Sequence, residues 1–283
     1  MSRVPARRKL ATEDPIFAKV LLTVAAVIFL GLFLVAPLVA VFQGALANGV
    51  TAYLHAIRQP EAIQAIELTL TAAAFAVPLN LIFGLASSWA ITKFEFPGKS
   101  ILIALIELPV AVSPVISGLI FVLMFGTRGV LGPWLVAHNL KVIFAVPGII
   151  MATTFVTFPF IAREVMPTMQ SQGTEEEQAA LSLGANGWQV FWKVTLPNVR
   201  WALIYGVILC NARAMGEFGA VSVVSAHIRG RTNTLPLYVE LLYNDYDFVG
   251  AFAAASLLTF LALVTLVAKS VAAWWTERSV ALY

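Results

Sequence analysis

Apolar residues fill six long stretches of the chain, and the segments between them carry nearly all of the charges. The stretches cover residues 20–42, 68–92, 101–125, 142–162, 201–224 and 248–268. A helix needs roughly 20 apolar residues to cross a hydrocarbon core of about 30 Å, and each stretch is long enough. The apolar runs are continuous, whereas strands of a membrane β-barrel alternate at every second residue. The pattern therefore predicts six transmembrane helices.

Composition supports an all-α, polytopic membrane helix bundle surrounded by lipid. The 283 residues are 60% hydrophobic and only 12% charged, about half of the ~25% charged residues in soluble domains. This excludes a cytosolic enzyme and a disordered chain. The net charge of +3 is too small to indicate nucleic acid as a partner. The single cysteine, Cys210, excludes an internal disulfide and a thiolate metal cluster.

Basic residues predict the orientation. With the N-terminus inside, the inner segments hold twelve Lys and Arg residues and the outer segments five, and positive charge accumulates on the cytoplasmic side. The prediction is a cytoplasmic segment over 1–19, a transmembrane domain over 20–275 and a cytoplasmic tail over 276–283. The first stretch is 23 residues long and exceeds the apolar region of a signal peptide, which is roughly 7–15 residues, so we interpret it as an uncleaved helix.

The long inner loop, residues 163–200, contains a helix–glycine–helix pattern over 173–197 that we call the hook. Thr174 and Glu177 have the spacing of a capping box at the start of a short helix. Gly184 is placed to end that helix, because glycine adopts the left-handed conformation without strain. A second helical piece over 188–194 is predicted to stop before Leu196 and Pro197, since the residue before proline avoids helical geometry.

The hook carries apolar side chains although it lies in a polar loop: Leu181, Leu183, Trp188, Phe191 and Trp192. Two interpretations are open. The hook inserts into a groove of a partner protein, or it lies on its own membrane face with its tryptophans among the lipid headgroups.

A family resemblance rests on the spacing within the hook. Gln178-Ala179-Ala180, Gly184 and Leu196-Pro197 have the spacing of the motif E-A-A-x3-G-x9-I-x-L-P, which marks the ATPase-coupling loop of ABC-importer permeases. Gln178 replaces the motif's Glu and Val194 replaces its Ile, while Glu177 stands next to the first position. The resemblance implies that Glu177, Gln178, Ala179, Ala180, Gly184, Leu196 and Pro197 couple the chain to an ATPase.

The resemblance extends over nearly the whole chain. Residues 155–160, 163–164, 196–203 and 213–222 are similar to the sulfate/thiosulfate permease pair. Residues 211–213, 221–225 and 228–230 are similar specifically to its W subunit. This implies a type I ABC importer permease (MetI-like) fold in the bacterial inner membrane. The implied partners are a T-type permease subunit, a dimer of ATP-binding subunits and a periplasmic sulfate/thiosulfate-binding protein.

The resemblance implies that a partner ATPase subunit binds ATP and Mg²⁺, so no cofactor is expected in this chain. Gly98-Lys99-Ser100 resembles the end of a nucleotide-binding P-loop, but Lys93 stands where that motif requires glycine. Two alternatives stay open for the function: a permease for molybdate or tungstate, and an autonomous anion channel or secondary transporter.

Two charged residues lie inside the fifth stretch. Arg213 follows Trp201 by twelve residues, which is about 18 Å of helix and close to the bilayer midplane. A charge there costs roughly 2.5–3.5 kcal/mol and should face the bundle interior or water. Arg213 with Glu217 forms either part of an anion pathway or a structural ion pair. Glu107 in the third stretch is a further candidate partner for Arg213, or a hydrogen-bonded residue at a helix kink.

Overall fold

Helices make up almost all of the described chain. The computed structural model describes the backbone of residues 16–280 and the side chains of 16–271, and it contains no β-strand within that range. The helices are α1 Ile16–Ala45, α2 Gly49–Ile57, α3 Pro60–Lys93, α4 Lys99–Ala111, α5 Pro114–Phe125, α6 Gly132–Ala137, α7 Val146–Gln172, α8 Glu175–Ser182, α9 Gly187–Met215, α10 Gly219–Ser225, α11 Leu235–Asn244 and α12 Phe248–Val280. The predicted all-α fold is confirmed.

The predicted terminal segments lie mostly outside the described residues. Of segment 1–19, residues 16–19 are described, and they form the start of α1. Of tail 276–283, only the backbone of 276–280 is described, and it continues α12. Both boundaries therefore stay predictions.

Four of the described helices are long and apolar enough to cross a membrane without interruption. They are α1, α3, α7 and α12. The predicted third and fifth stretches are not single straight helices: α4 and α5 meet at 109°, and α9 and α10 meet at 49°. Six spans result when each bent pair is counted as one. The predicted spans over 101–125 and 201–224 therefore each correspond to a bent pair of helices.

Local chemistry explains the sharper bend. Ser113 precedes Pro114 and has φ −57° and ψ 133°, because the proline ring excludes helical geometry from the preceding residue. Pro114 then starts α5, where its missing N–H has no helical partner to lose. In the second pair, Gly216 ends α9, and the chain passes through Glu217 and Phe218 before α10 begins.

Helix ends also extend beyond the predicted limits. α3 begins at Pro60, well before the predicted start at 68, and α7 continues to Gln172, ten residues past the predicted end at 162. The added turns contain polar residues that lower hydropathy without interrupting backbone hydrogen bonds. Hydropathy therefore marks the apolar part of a helix, whereas caps and glycines decide where the helix ends.

The centre of the bundle is α7, which packs against α3 and α9. Small residues allow the close approach: a Cβ on Gly84 would lie 3.1 Å from the Ile161 side chain, and a Cβ on Gly206 would lie 3.0 Å from the Ile161 Cα. Small residues at helix interfaces are typical of membrane bundles, because lipid provides no hydrophobic driving force between helices. This packing fixes the helix ends that carry the hook.

Candidate functional site

The hook begins immediately after α7, and its second half, residues 187–197, is the first part of α9. Its first helix, α8, ends at Ser182, and Gly184 follows with φ +88°. The Gly184 N–H donates to the Leu181 carbonyl at 2.9 Å, and the Ala185 N–H donates to the Ala180 carbonyl at 3.1 Å. These two bonds satisfy the last carbonyls of α8 in a Schellman motif. The predicted role of Gly184 as the end of the helix is confirmed.

The predicted capping box at Thr174 is wrong. The Thr174 side chain caps no backbone N–H, and its Oγ1 accepts a hydrogen bond from Gln178 Nε2 at 3.1 Å. Glu177, the expected partner, turns toward the bundle instead. Its Oε1 lies 3.1 Å from Lys93 Nζ and accepts a hydrogen bond from Thr195 Oγ1 at 2.6 Å. A strong ionic partner has replaced the local cap, because a charge-assisted contact is worth more than a neutral one.

We call the contacts among Lys93, Glu177 and Thr195 the hook latch. The Lys93 and Glu177 side chains are only 8% and 16% exposed, so water screens their attraction less than at an open surface. Lys93 Nζ also donates to the Gly173 carbonyl at 2.5 Å. The latch thereby joins the end of α3 to both the start and the end of the hook.

A second set of contacts holds the base of the hook. Asn198 Nδ2 donates to Glu176 Oε2, and Gln172 Nε2 donates to the Asn198 carbonyl at 2.9 Å. These bonds tie α8 and the last turn of α7 to Asn198, which lies in α9 directly after Pro197. The hook is therefore attached to three membrane helices at once.

The second half of the hook has a cap that the sequence analysis missed. Asn186 Oδ1 accepts from the Gln189 N–H at 2.9 Å, while Gln189 Oε1 accepts from the Asn186 N–H at 3.0 Å. This reciprocal pair is a capping box, and its signal, a cap residue followed three positions later by Gln, is visible in the sequence.

The predicted helix stop before Leu196 and Pro197 is also wrong. Residues Phe191–Thr195 form a π-helical turn, in which the Leu196 N–H donates to the Phe191 carbonyl. Pro197 then takes a position near the start of the next α-helical segment, where its lack of an N–H is tolerated. The helix consequently runs without a break from the hook into the membrane.

The hook exposes its apolar side chains, as predicted. Leu183 is 89% exposed and Trp188 is 71% exposed, while Leu181 and Trp192 are each at least half exposed. Phe191 differs, because it is half-buried and its ring centroid lies 5.1 Å from that of Trp89. The outer surface of the hook is therefore apolar and without a cover from the described residues.

The remaining motif residues lie around that surface. Gln178, Ala179, Gly184 and Pro197 are exposed, and Ala180 and Leu196 are half-buried. No Cβ on Gly184 would approach another group within 4 Å, so this glycine is required by its backbone angle and not by crowding inside the chain.

The charged residues of the fifth stretch pair with each other. Arg213 Nη1 lies 2.7 Å from Glu217 Oε2, and Glu217 Oε1 accepts from the Ala220 N–H at 2.9 Å. The Glu217 side chain is 1% exposed, whereas the Arg213 side chain is 33% exposed. Glu217 therefore stabilises the start of α10 and holds Arg213, whose side chain stays partly exposed.

Glu107 has neither of its expected roles. It is exposed on α4 and makes no hydrogen bond or ion pair with another described residue. Arg213 is paired elsewhere, and the kink near Pro109 and Pro114 is built without the Glu107 carboxylate. Within the described part of the chain, no three His, Cys, Asp or Glu side chains come together as metal ligands.

Comparison with known proteins yields one family and a consistent set of relatives. A family described as "Binding-protein-dependent transport system inner membrane component" matches residues 80–277. The "Sulfate transport system permease protein CysW" of Escherichia coli (strain K12) is 51% identical over 245 residues, covering 87% of this chain and 84% of that protein. A protein of the same name from Synechocystis sp. is 47% identical, covering 89% and 92%.

A second type of permease and a solved structure are also similar. The "Sulfate transport system permease protein CysT" of Escherichia coli (strain K12) is 35% identical over 239 residues, covering 84% of this chain and 86% of that protein. A chain from the crystal structure of a bacterial ABC transporter involved in alginate import superposes with a TM-score of 0.76 at 18% identity, covering 93% of this chain and 96% of that one. At that identity the likeness concerns the fold alone.

Proposed function

The chain belongs to the family of binding-protein-dependent transport system inner membrane components, and from this membership we propose that it is the membrane-spanning permease subunit of an ATP-driven importer of sulfate and thiosulfate. The observation that supports sulfate as the substrate is the 51% identity to a sulfate permease subunit over most of both chains. A T-type permease, an ATP-binding dimer and a periplasmic binding protein complete the proposed complex.

The proposed orientation places the hook and both termini in the cytoplasm. The distribution of Lys and Arg supports it, because twelve lie in the segments on that side and five on the other. In this orientation the hook faces the ATP-binding dimer, which holds ATP and Mg²⁺. The chain itself supplies no covalent chemistry.

The hook is the proposed coupling element. Its exposed Leu181, Leu183 and Trp188 side chains offer an apolar surface that a cleft in the ATPase can bury. Closure of the ATPase dimer on ATP displaces the hook. The hook latch and the continuous helix through Pro197 transmit that displacement to α3 and α9. Hydrolysis then permits the return, so that the central pathway opens to one side of the membrane at a time.

Arg213 is the proposed contribution to the anion pathway. Its ion pair with Glu217 lowers the positive potential around it, and the partly exposed Arg213 side chain leaves a weak positive site. A weak site suits translocation, since an anion held tightly at mid-membrane is not released. The Arg213–Glu217 pair thus combines a structural ion pair with limited positive potential.

Reconstitution in liposomes tests the proposal. The chain is assembled with its three kinds of partner, and uptake of radiolabelled sulfate is measured with and without internal ATP. We expect uptake that requires ATP and is unaffected by excess molybdate. Suppression by molybdate or tungstate assigns the complex to a broader oxyanion importer. Uptake by this chain alone without ATP contradicts the proposal and indicates an autonomous channel or secondary transporter.

A further inference from the structure

A cavity of about 550 Å³ opens near the start of α7. Because α7 has 27 residues and is about 40 Å long, the cavity lies at the opposite end of the bundle from the hook. It is lined by residues from α5, α6 and the segments around them: Val122, Leu123, Phe125–Gly129, Gly132, Leu135, Val136 and Asn139–Phe144. None of the proposed coupling or pathway residues belongs to it.

A glycine-built turn forms one wall of the cavity. A Cβ on Gly126, Gly129 or Gly132 would lie 2.5, 2.4 or 2.2 Å from a backbone oxygen, so only glycine fits these three positions. The turn is consequently compact, and it places Arg128 on the cavity wall. A wall with this packing is formed before any ligand arrives.

Another part of the cavity wall is also fixed by the backbone. Phe144 has φ +59° although it is not glycine, and its N–H donates to the Val224 carbonyl at 2.9 Å. A left-handed conformation in a bulky residue costs about 1–2 kcal/mol and persists only where its surroundings determine it. The Phe144 side chain is 42% exposed and lines the cavity.

The surroundings indicate the level of the membrane surface. The cavity begins where the apolar run of α5 ends, and α6 exposes Trp134 and Val136 by 56% and 57%. Tryptophan concentrates at the boundary between hydrocarbon and headgroups, because its ring is apolar and its N–H is polar. The short helix α6 therefore has the character of an interfacial element, and the cavity beside it is open at headgroup level.

Two cations on the cavity have no side-chain partner among the described residues. Arg128 and Lys141 are exposed, and their side chains make no hydrogen bond or ion pair with another described residue. The lining contains no Asp or Glu. The remaining lining is mostly apolar, so the site combines positive charge at its edge with a hydrocarbon-like interior.

This combination selects the class of ligand. A tetrahedral oxyanion has no apolar part, and burying it against apolar walls leaves its oxygens without hydrogen bonds. A phospholipid with a net negative charge has both an anionic phosphate and long acyl chains. We propose that the cavity binds an anionic phospholipid, with its phosphate paired to Arg128 and Lys141 and an acyl chain against the apolar lining.

Lipid retention measured by native mass spectrometry tests this site directly. The complete complex is purified in detergent with phosphatidylglycerol or phosphatidylcholine of identical acyl chains. We expect the wild type to retain phosphatidylglycerol in preference to phosphatidylcholine. The double variant Arg128→Gln/Lys141→Gln should bind phosphatidylglycerol about 30-fold more weakly, since each basic contact near a membrane contributes about 1 kcal/mol.

Two further variants separate a built site from general surface charge. Arg58→Gln/Arg231→Gln removes the same charge from exposed positions outside the cavity, and it should retain the lipid as the wild type does. Val136→Trp enlarges an exposed side chain on the cavity wall and should reduce retention while both cations remain. Equal losses in both double variants contradict the proposal, because they show only long-range attraction.

Other results identify a different occupant and overturn the proposal. Displacement of the lipid by glycerol 3-phosphate as effectively as by a short-chain phosphatidylglycerol means that the site recognises an anion without a tail. Equal retention of phosphatidylcholine removes the role of the cations. Retention by the isolated chain but not by the assembled complex means that a partner subunit covers the cavity.

Discussion

The substitution Glu177→Gln tests whether the hook latch transmits force. The exchange keeps the size of the side chain but removes the charge of the carboxylate. In the wild type its Oε1 lies 3.1 Å from Lys93 Nζ and accepts a hydrogen bond from Thr195 Oγ1. A hydrogen bond to a charged group is worth about 1.5–3 kcal/mol. Lys93 keeps its bond to the Gly173 carbonyl, so we expect a net weakening of about 2 kcal/mol.

A weakening of about 2 kcal/mol changes the ratio of attached to detached hook by roughly 30-fold. The hook itself stays folded, because the Schellman motif at Gly184 and the capping box at Asn186 do not involve Glu177. The ATPase can therefore still bind the hook and hydrolyse ATP, but less of its movement reaches α3. We expect the number of ATP molecules consumed per sulfate imported to rise several-fold.

The assay measures ATP hydrolysis and sulfate uptake in the same proteoliposomes. Glu175→Gln is the matched control, because Glu175 is exposed on the same helix and has no side-chain partner among the described residues. Thr195→Val, which removes one hydrogen bond and keeps the ion pair, should give a smaller rise. A Glu177→Gln complex with the same ratio as the Glu175→Gln complex refutes the latch as a transmitting contact.

Three further predictions concern the hook and the intramembrane pair. Gly184→Ala places a Cβ at φ +88° and should destabilise the end of α8 by about 1 kcal/mol, seen as faster proteolysis of the hook and lower coupled uptake; unchanged cleavage contradicts it. Asn186→Ala should have a similar effect, since losing a helix cap costs about 1 kcal/mol, and Asn186→Ser should restore most of it. Arg213→Gln leaves the buried Glu217 carboxylate unpaired, which costs about 3–5 kcal/mol, so the amount of assembled complex should fall. The double variant Arg213→Gln/Glu217→Gln should recover assembly, because it leaves no buried charge unpaired. Any uptake defect that remains in it measures the contribution of the positive charge to the pathway. Full recovery of uptake would show that the pair has only a structural role.

Local rules predicted the parts of the structure that local chemistry decides. The apolar stretches identified the spans, and Gly184 identified the end of α8. Both features depend on residues that are neighbours in the sequence and not on contacts between distant segments. The capping box of Asn186 and Gln189 follows the same kind of rule and was open to prediction.

Contacts between distant residues could not be predicted in this way. Lys93 and Glu177 are 84 positions apart in the sequence, and their pairing requires α3 and the hook to end at the same place. The prolines marked where the third stretch could break, but the angle of 109° depends on how α5 packs against α10. The π-helical turn before Pro197 likewise reflects the packing of α9, where Val190 and Thr195 are buried.

Crosslinking from the tip of the hook tests the central claim most directly. A photoreactive residue replaces Leu183, which is 89% exposed, in the complete complex in liposomes. We expect a covalent adduct with the ATP-binding subunit whose yield changes when ATP is added. The same residue at Val130, 81% exposed at the other end of the bundle, should give no such adduct. Crosslinking of position 183 to lipid or to this chain alone contradicts the account and shows a hook that lies on the membrane surface.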